Sequence, residues 1–351
     1  GDFSTALGNG TKAIGESSTA MGNSTTASAT TSTAMGNETK ATGDYSTAMG
    51  SGTEAAGAFS TAMGYDTKAS GTYSIASGNS STASGTFSIA MGNSTEATGQ
   101  SAIALGENTK ASGTFSTAMG SGTNASGTFS TATGNSSKAS GIFSVAMGNN
   151  TEASSQSAVA MGENTEASGD FSTAMGSGTK AIGAYSTAIG NSSTASGTTS
   201  TAMGFNSKAS GDYSTTMGYN TEALADYSIA LGILNIAIGE SSIAMGNSST
   251  ASGTTSTAIG DYTVASGDYS TAMGSSSEAL GGYSTAMGYH TQAESQQEFV
   301  VGSFNETTSG VSSENWVSTD PLFTVGNGTG STNKSNAFQI LKNGDATFYS
   351  N

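Results

Sequence analysis

The sequence predicts an all-β fold, a parallel β-solenoid whose coils are 14 residues long. Glycine occupies 39 of the 42 positions that recur every seventh residue from Gly1 to Gly288. The three exceptions are Ala29, Ser155 and Ala225. The residue five places after each of these 42 positions is alanine in 41 cases, and the one exception is Thr216. Successive heptads alternate between two types, so the repeating unit has 14 residues and 21 units fill residues 1–294.

Each heptad type contains one segment that suits a short strand. Residues 43–49 read Gly-Asp-Tyr-Ser-Thr-Ala-Met, and residues 36–42 read Gly-Asn-Glu-Thr-Lys-Ala-Thr. A coiled coil is excluded because glycine costs about 1 kcal/mol relative to alanine in a helix and the apolar a and d positions are absent. Collagen would need glycine every third residue and abundant proline, but the chain has one proline. Two strands and two glycine turns per stacked coil remain.

The fifth position of the second heptad type supports stacking in register. It holds every lysine of the repeat region and six glutamates. Residues 14 apart are expected to lie about 4.8 Å apart, where like charges would repel. Six neighbouring pairs combine lysine with glutamate, whereas only Glu152 and Glu166 are neighbours of like charge. The predicted surface charge ladder consists of Lys40, Glu54, Lys68, Glu96, Lys110, Lys138, Glu152, Glu166, Lys180, Lys208 and Glu222.

Alternation along each strand predicts an apolar stripe on the outside of the coils. Lysine and glutamate must face solvent, so the adjacent alanines face the interior. In the first heptad type, the residues directly before and after the alanine then point outward. All 14 methionines of the chain occupy the position directly after it. A monomer would expose more apolar surface than soluble proteins tolerate, so we predict that self-association covers the stripe. Its predicted contact residues are Met21, Met35, Met49, Met63, Ile75, Ile89, Met91, Ile103, Leu105, Met119, Val145, Met147, Val159, Met161, Met175, Met203, Met217, Ile229, Leu231, Ile243, Met245, Met273 and Met287.

Composition argues against several functions. The net charge is −16 without any arginine, which disfavours binding to nucleic acid or to an anionic membrane surface. The chain has no cysteine and one histidine, His290, so we find no nucleophile paired with a base. No cluster of residues suits a metal ion. We therefore predict that the chain is not an enzyme, with no catalytic residue, no metal and no cofactor.

The repeat resembles a known family. The motif Ser-x-Ala-aliphatic-Gly, as in residues 88–92 and 144–148, alternates with x-x-Ala-Ser-Gly at 14-residue spacing. This pattern resembles the YadA-like head repeats of trimeric autotransporter adhesins over residues 1–294. The resemblance implies a left-handed parallel β-roll, three chains around one axis with the apolar stripe at the trimer centre, and attachment outside the cell. Threonine often replaces the valine or isoleucine usual in the family, so a more polar centre is expected.

The C-terminal part departs from the repeat. Residues 321–328 and 335–344 resemble a module of phage and bacterial fibre proteins that often precedes a self-cleaving intramolecular chaperone. Two parts are therefore predicted, a β-roll head over 1–294 and a cap or adaptor over 295–351, with a processing site or chain end near Asn351. The aromatic and aliphatic residues expected to cover the last coil are Phe299, Trp316, Phe323, Phe338, Ile340 and Leu341.

An intermittent aromatic column occupies the third place of the first heptad type. We expect these rings to pack at the strand entrance or between subunits, and the alternative is a row that contacts a ligand. The members are Phe3, Tyr45, Phe59, Tyr73, Phe87, Phe115, Phe129, Phe143, Phe171, Tyr185, Tyr213, Tyr227, Tyr269 and Tyr283.

Three functions compete at this stage. An extracellular adhesin head is favoured; its partners would be two further copies of itself and an unknown surface receptor, glycan or matrix protein. A phage or injection-machine tail fibre is a close variant. Ice binding would require the threonine column to be exposed, although the neighbouring methionines argue for burial. A depolymerase would need a pair of carboxylates in a groove, and we find none.

Overall fold

The computed structural model describes residues 1–349, so the predicted processing site at Asn351 lies outside the described residues. The chain divides into two compact units, residues 1–177 and residues 178 onward. In both units each 14-residue coil contains one five-residue strand and one two-residue strand. The predicted all-β parallel solenoid is therefore confirmed.

In the first unit, strands pair in parallel with the residue 14 positions further along the chain. Met21 lies opposite Met35 in the sheet of five-residue strands, and Lys40 lies opposite Glu54 in the sheet of two-residue strands. The five-residue strands are Thr5–Asn9, Thr19–Asn23, Thr33–Asn37, Thr47–Ser51, Thr61–Tyr65, Ile75–Asn79, Ile89–Asn93, Ile103–Glu107, Thr117–Ser121, Thr131–Asn135, Val145–Asn149, Val159–Glu163 and Thr173–Ser177. The two-residue strands are Lys12–Ala13, Thr26–Ala27, Lys40–Ala41, Glu54–Ala55, Lys68–Ala69, Thr82–Ala83, Glu96–Ala97, Lys110–Ala111, Asn124–Ala125, Lys138–Ala139, Glu152–Ala153 and Glu166–Ala167.

The second unit repeats this arrangement, for example with Met203 opposite Met217 and Lys208 opposite Glu222. Its five-residue strands are Thr187–Asn191, Thr201–Phe205, Thr215–Tyr219, Ile229–Ile233, Ile243–Asn247, Thr257–Asp261, Thr271–Ser275, Thr285–Tyr289 and Phe299–Ser303. Its two-residue strands are Lys180–Ala181, Thr194–Ala195, Lys208–Ala209, Glu222–Ala223, Ile236–Ala237, Thr250–Ala251, Val264–Ala265, Glu278–Ala279 and Gln292–Ala293.

Small side chains fill the interior of the coils. Ser18, Ala20, Thr25 and Ala27 are all 0% exposed, and the equivalent positions of the following coils are buried in the same way. The alanines of both strands thus point inward, as predicted from the charged column. Because only small side chains fit there, each coil buries little apolar surface, and stability depends on the stacking of neighbouring coils.

The two glycine columns differ in backbone conformation. In the column that contains Gly36, φ lies between +114° and +143° from Gly8 to Gly288, a region that side chains of L-residues disfavour. An added Cβ at Gly36 would also lie 1.8 Å from the carbonyl oxygen of Gly50. The other column, which contains Gly43, has no left-handed φ. All three exceptions to the glycine period, Ala29, Ser155 and Ala225, fall in this second column.

Strand pairing in the second unit changes from parallel to antiparallel at its C-terminal end. Phe299–Ser303 pairs in parallel with Thr285–Tyr289 on one side and with Pro321–Asn327 on the other. Asn336–Leu341 and Ala346–Phe348 then add as antiparallel strands. An antiparallel meander therefore follows the last parallel coil.

Candidate functional site

The apolar stripe lies on the outside of the five-residue strands in both units. Met49, Met91 and Met217 are 38%, 44% and 45% exposed in the single chain. The in-register pairing places like residues side by side, as with Ile89 opposite Ile103. All the stripe residues predicted from the sequence are half-buried or exposed, and none of them is fully buried. The stripe is therefore an apolar row open to a partner in each unit, interrupted in the first unit at Thr131 and Thr133.

The surface charge ladder follows the two-residue strands. The Nζ atom of Lys68 lies 3.3 Å from Oε2 of Glu54, and Nζ of Lys110 lies 2.8 Å from Oε2 of Glu96. These side chains are 36–52% exposed, so each pair contributes less than about 1 kcal/mol to stability. The remaining ladder residues also lie on two-residue strands: Lys40 opposite Glu54, Lys138 opposite Glu152, Glu152 opposite Glu166, and Lys208 opposite Glu222, with Lys180 on Lys180–Ala181.

The aromatic column forms stacks of exposed rings. The ring centroids of Tyr45, Phe59, Tyr73 and Phe87 are separated by 4.9, 4.8 and 5.0 Å in turn, with interplanar angles of 1–6°. These four residues have φ of 58–59°, which is uncommon for bulky side chains. Stacking contributes about 0.5–1.5 kcal/mol per pair and offsets part of this backbone strain. Further stacks are Phe115–Phe129–Phe143, Tyr213–Tyr227 and Tyr269–Tyr283.

The recurring acids at the turns link neighbouring coils. Oδ1 of Asp212 accepts a hydrogen bond from the backbone N–H of Thr198 at 2.7 Å, and Oδ1 of Asp226 accepts one from Asp212 at 2.8 Å. The acceptor lies 14 residues after its donor in each case. These acids therefore have a structural role between coils.

A buried carboxylate stands at the end of the second unit. Glu298 is 5% exposed, and burial raises its pKa to about 6, although hydrogen bonds oppose this shift. Oε2 accepts hydrogen bonds from the backbone N–H groups of Ser295 at 3.1 Å and Glu294 at 2.9 Å. Oε1 accepts one from Oγ1 of Thr324 at 3.2 Å. The negative charge of Glu294 raises the pKa further.

Trp316 differs from the expectation that it would cover the last coil. Its side chain is 51% exposed, and Nζ of Lys342 lies 5.2 Å from its ring centroid. The Lys342 side chain is 0% exposed, with Nζ 3.8 Å from Oδ2 of Asp320. Burial lowers the pKa of Lys342, while the charge of Asp320 acts in the opposite direction. The indole therefore covers a buried ammonium group.

Glu298 and Lys342 were missed at the sequence level. The sequence did contain a signal for Glu298, because this glutamate stands at the coil position where Ser270 and Ser284 point inward. No periodic pattern pointed to Lys342, because it lies beyond the repeat. Among residues 1–349, no group of three or more His, Cys, Asp or Glu is arranged to hold a metal ion. No helix in the described part of the chain is long and apolar enough to cross a membrane.

The fold and its surfaces define a parallel β-solenoid of 14-residue coils with repeated outward columns. The family described as YadA head domain repeat (2 copies) matches residues 13–39, 41–67, 69–95, 97–123, 125–151, 153–179, 181–207, 195–216, 209–233, 237–263 and 265–291. These matches cover most of the chain, which therefore belongs to the YadA head repeat family. No curated protein matches the chain.

Family membership makes the chain an adhesive fibre domain of the trimeric autotransporter adhesin type. Heads of this family are non-enzymatic, homotrimeric and extracellular. The matches end at residue 291, so the resemblance of the C-terminal segment to a fibre module stays a prediction.

Proposed function

We propose that this chain is the head of a homotrimeric cell-surface fibre that attaches its bearer to a host or another surface by multivalent contacts. In this proposal residues 1–294 form the β-roll head, and residues 295–351 form its cap or adaptor. Three identical faces would multiply individually weak contacts with a receptor, glycan or matrix protein. The chain itself carries out no catalysis.

The half-exposed apolar stripe is the observation that carries the proposal. Met147 and Met175 are 39% and 36% exposed in one chain, and equivalent residues flank them along the first unit. Burying such a row in a second and third copy removes apolar surface from water at about 25 cal/mol per Å². Because heads of this family are homotrimeric, we expect three chains in the assembly.

Native mass spectrometry of the 351-residue chain tests the assembly. We expect a mass three times the 34.3 kDa of one chain. Met203→Glu adds charge to the stripe and is expected to dissociate the trimer, because three carboxylates would meet near its axis. Thr194→Glu is the matched control, since it adds the same charge on a two-residue strand between Lys180 and Lys208. It should leave the trimer intact.

Attachment is then measured with beads that carry either the native chain or the Met203→Glu variant, under flow over an immobilised extracellular-matrix extract. The trimer should retain beads that the dissociated variant does not. A native chain of monomeric mass contradicts the trimeric proposal and leaves the threonine column open to water, in which case ice recrystallisation is the next activity to assay. Equal retention by both forms contradicts the role of multivalency.

A further inference from the structure

The aromatic column of the first unit lacks a single ring at two levels, those of Ser101 and Ser157. Tyr73 lies between two rings, 4.8 Å from Phe59 and 5.0 Å from Phe87 by ring centroids. The next coil carries Ser101 in place of an aromatic residue, and the stack resumes with Phe115 in the coil after it. One ring is therefore missing between Phe87 and Phe115.

The backbone continues through this coil without a change. Ser101 has φ of 53°, close to 59° at Phe87 and 56° at Phe115. The backbone N–H of Ser101 donates to the carbonyl oxygen of Thr86 at 2.8 Å, and that of Phe115 donates to Gln100 at 2.8 Å. Since the coil spacing is kept, the space beside Ser101 has the thickness of one ring, like the space that Tyr73 fills two levels earlier.

The rings on either side of the gap are more exposed than rings inside a stack. Phe87 and Phe115 are 53% and 49% exposed, against 46% for Phe59 and 47% for both Tyr73 and Phe129. A ring inside the stack has neighbours on both faces, whereas Phe87 and Phe115 each have a stacked neighbour on one face only. The face that each of them turns toward the gap has no stacked aromatic neighbour.

The chemistry around the gap favours one kind of occupant. Its two walls are aromatic faces, which carry partial negative charge and attract C–H groups. Ser101 and the chain neighbours of the three positions, Thr86, Gln100 and Thr114, are polar and uncharged, so we expect a polar edge. A ring with C–H groups on both faces and hydroxyl groups around its rim matches walls and edge together. An aromatic side chain would match the walls but would leave the polar edge without partners.

We propose that the gap beside Ser101, between Phe87 and Phe115, binds the pyranose ring of a β-glucoside. In the β-gluco configuration every substituent is equatorial, so both ring faces present only hydrogen. A β-galactoside carries one axial hydroxyl group, which would be pressed against an aromatic face. The ligand class deepens the proposed attachment role and rests on it for avidity, since a trimer carries the gap three times. The gap itself belongs to a single chain.

Ligand-observed saturation-transfer NMR on the full chain tests the proposal, with methyl β-D-glucopyranoside as the probe. The expected dissociation constant is on the order of 1–10 mM, as is usual for a ligand of about a dozen heavy atoms. Methyl β-D-galactopyranoside should give a weaker signal. Ser101→Tyr restores the missing ring and should abolish the signal from the glucoside. The same variant also carries Ser157→Tyr, because Ser157 leaves a second missing ring in the coil after Phe143.

Ser101→Thr combined with Ser157→Thr is the matched control and should keep the signal, since Thr31 and Thr199 occupy the same coil position with φ of 54° and 57°. The proposal is overturned if the native chain shows no transfer to the glucoside, or if the tyrosine variant binds it as well as the native chain does. Stronger binding of p-cresol than of the glucoside would also overturn it, in favour of an aromatic side chain. Native mass spectrometry of the same samples reports the trimer separately, so failure of the gap and failure of the assembly are distinguishable.

Discussion

Neutralising the buried carboxylate of Glu298 should stabilise the C-terminal end of the chain above pH 6. Burial raises its pKa from 4.5 to about 6. The unfolded chain therefore releases this proton at lower pH than the folded chain, and stability is lost as pH rises from 4.5 to 6. A difference of roughly 1.5 pKa units at 1.36 kcal/mol per unit gives about 2 kcal/mol. Glu298→Gln should keep the shape and remove this loss.

The single tryptophan makes the effect measurable at the right place. The loop that carries Trp316 is joined to the last coil by a 2.9 Å hydrogen bond from the backbone N–H of Gln296 to the carbonyl oxygen of Ser312. Urea unfolding is followed by tryptophan fluorescence between pH 4 and pH 7 for the native chain, for Glu298→Gln and for the exposed control Glu240→Gln. We expect Glu298→Gln alone to gain about 2 kcal/mol at pH 7 and nothing at pH 4. Parallel pH profiles for the native chain and Glu298→Gln would refute the reasoning.

Four further substitutions test the coil itself by urea unfolding followed by circular dichroism. Gly120→Ala should lower the free energy of unfolding by about 2–6 kcal/mol, since it combines backbone strain with overpacking. Gly127→Ala, in the other glycine column, should lower it by only about 1–3 kcal/mol. Equal losses would contradict the distinction between the two columns. Lys110→Glu places like charges opposite each other at Glu96 and should cost less than about 1 kcal/mol, an effect that about 1 M salt should remove. Asn235→Ala deletes three hydrogen bonds of a buried side chain and should cost about 2–4 kcal/mol; a loss below the error of the fit would show that those bonds contribute little.

The periodic part of the fold could be read from the sequence because each coil repeats the same packing problem. Alanine recurs at the inward positions, such as Ala20 and Ala27, since larger side chains would not fit between the two sheets. Lysine and glutamate alternate because residues 14 apart are neighbours, as at Lys110 and Glu96. Coil length, register and the inward face follow from these rules.

The candidate site was only partly predictable. Periodicity placed the apolar stripe on the outside, but the number of chains that cover it depends on how whole surfaces meet, which a repeat within one chain does not encode. The aromatic column was visible in the sequence as a column. Its positive φ and its face-to-face stacking were not, because phenylalanine and tyrosine disfavour that backbone region and only the rigid turn imposes it.

The sequence by itself determined the 14-residue coil, its parallel register and the inward alanines, since all three follow from spacing along the chain. Only the tertiary structure decided that Gly36 stands in a column with left-handed φ while Gly43 does not. It also decided that Glu298 is enclosed and that the rings of Phe87 and Phe115, on either side of Ser101, are exposed. The physical reason is that spacing reports which residues are neighbours, whereas backbone torsion, burial and the pKa of a carboxyl group depend on everything that surrounds them in space.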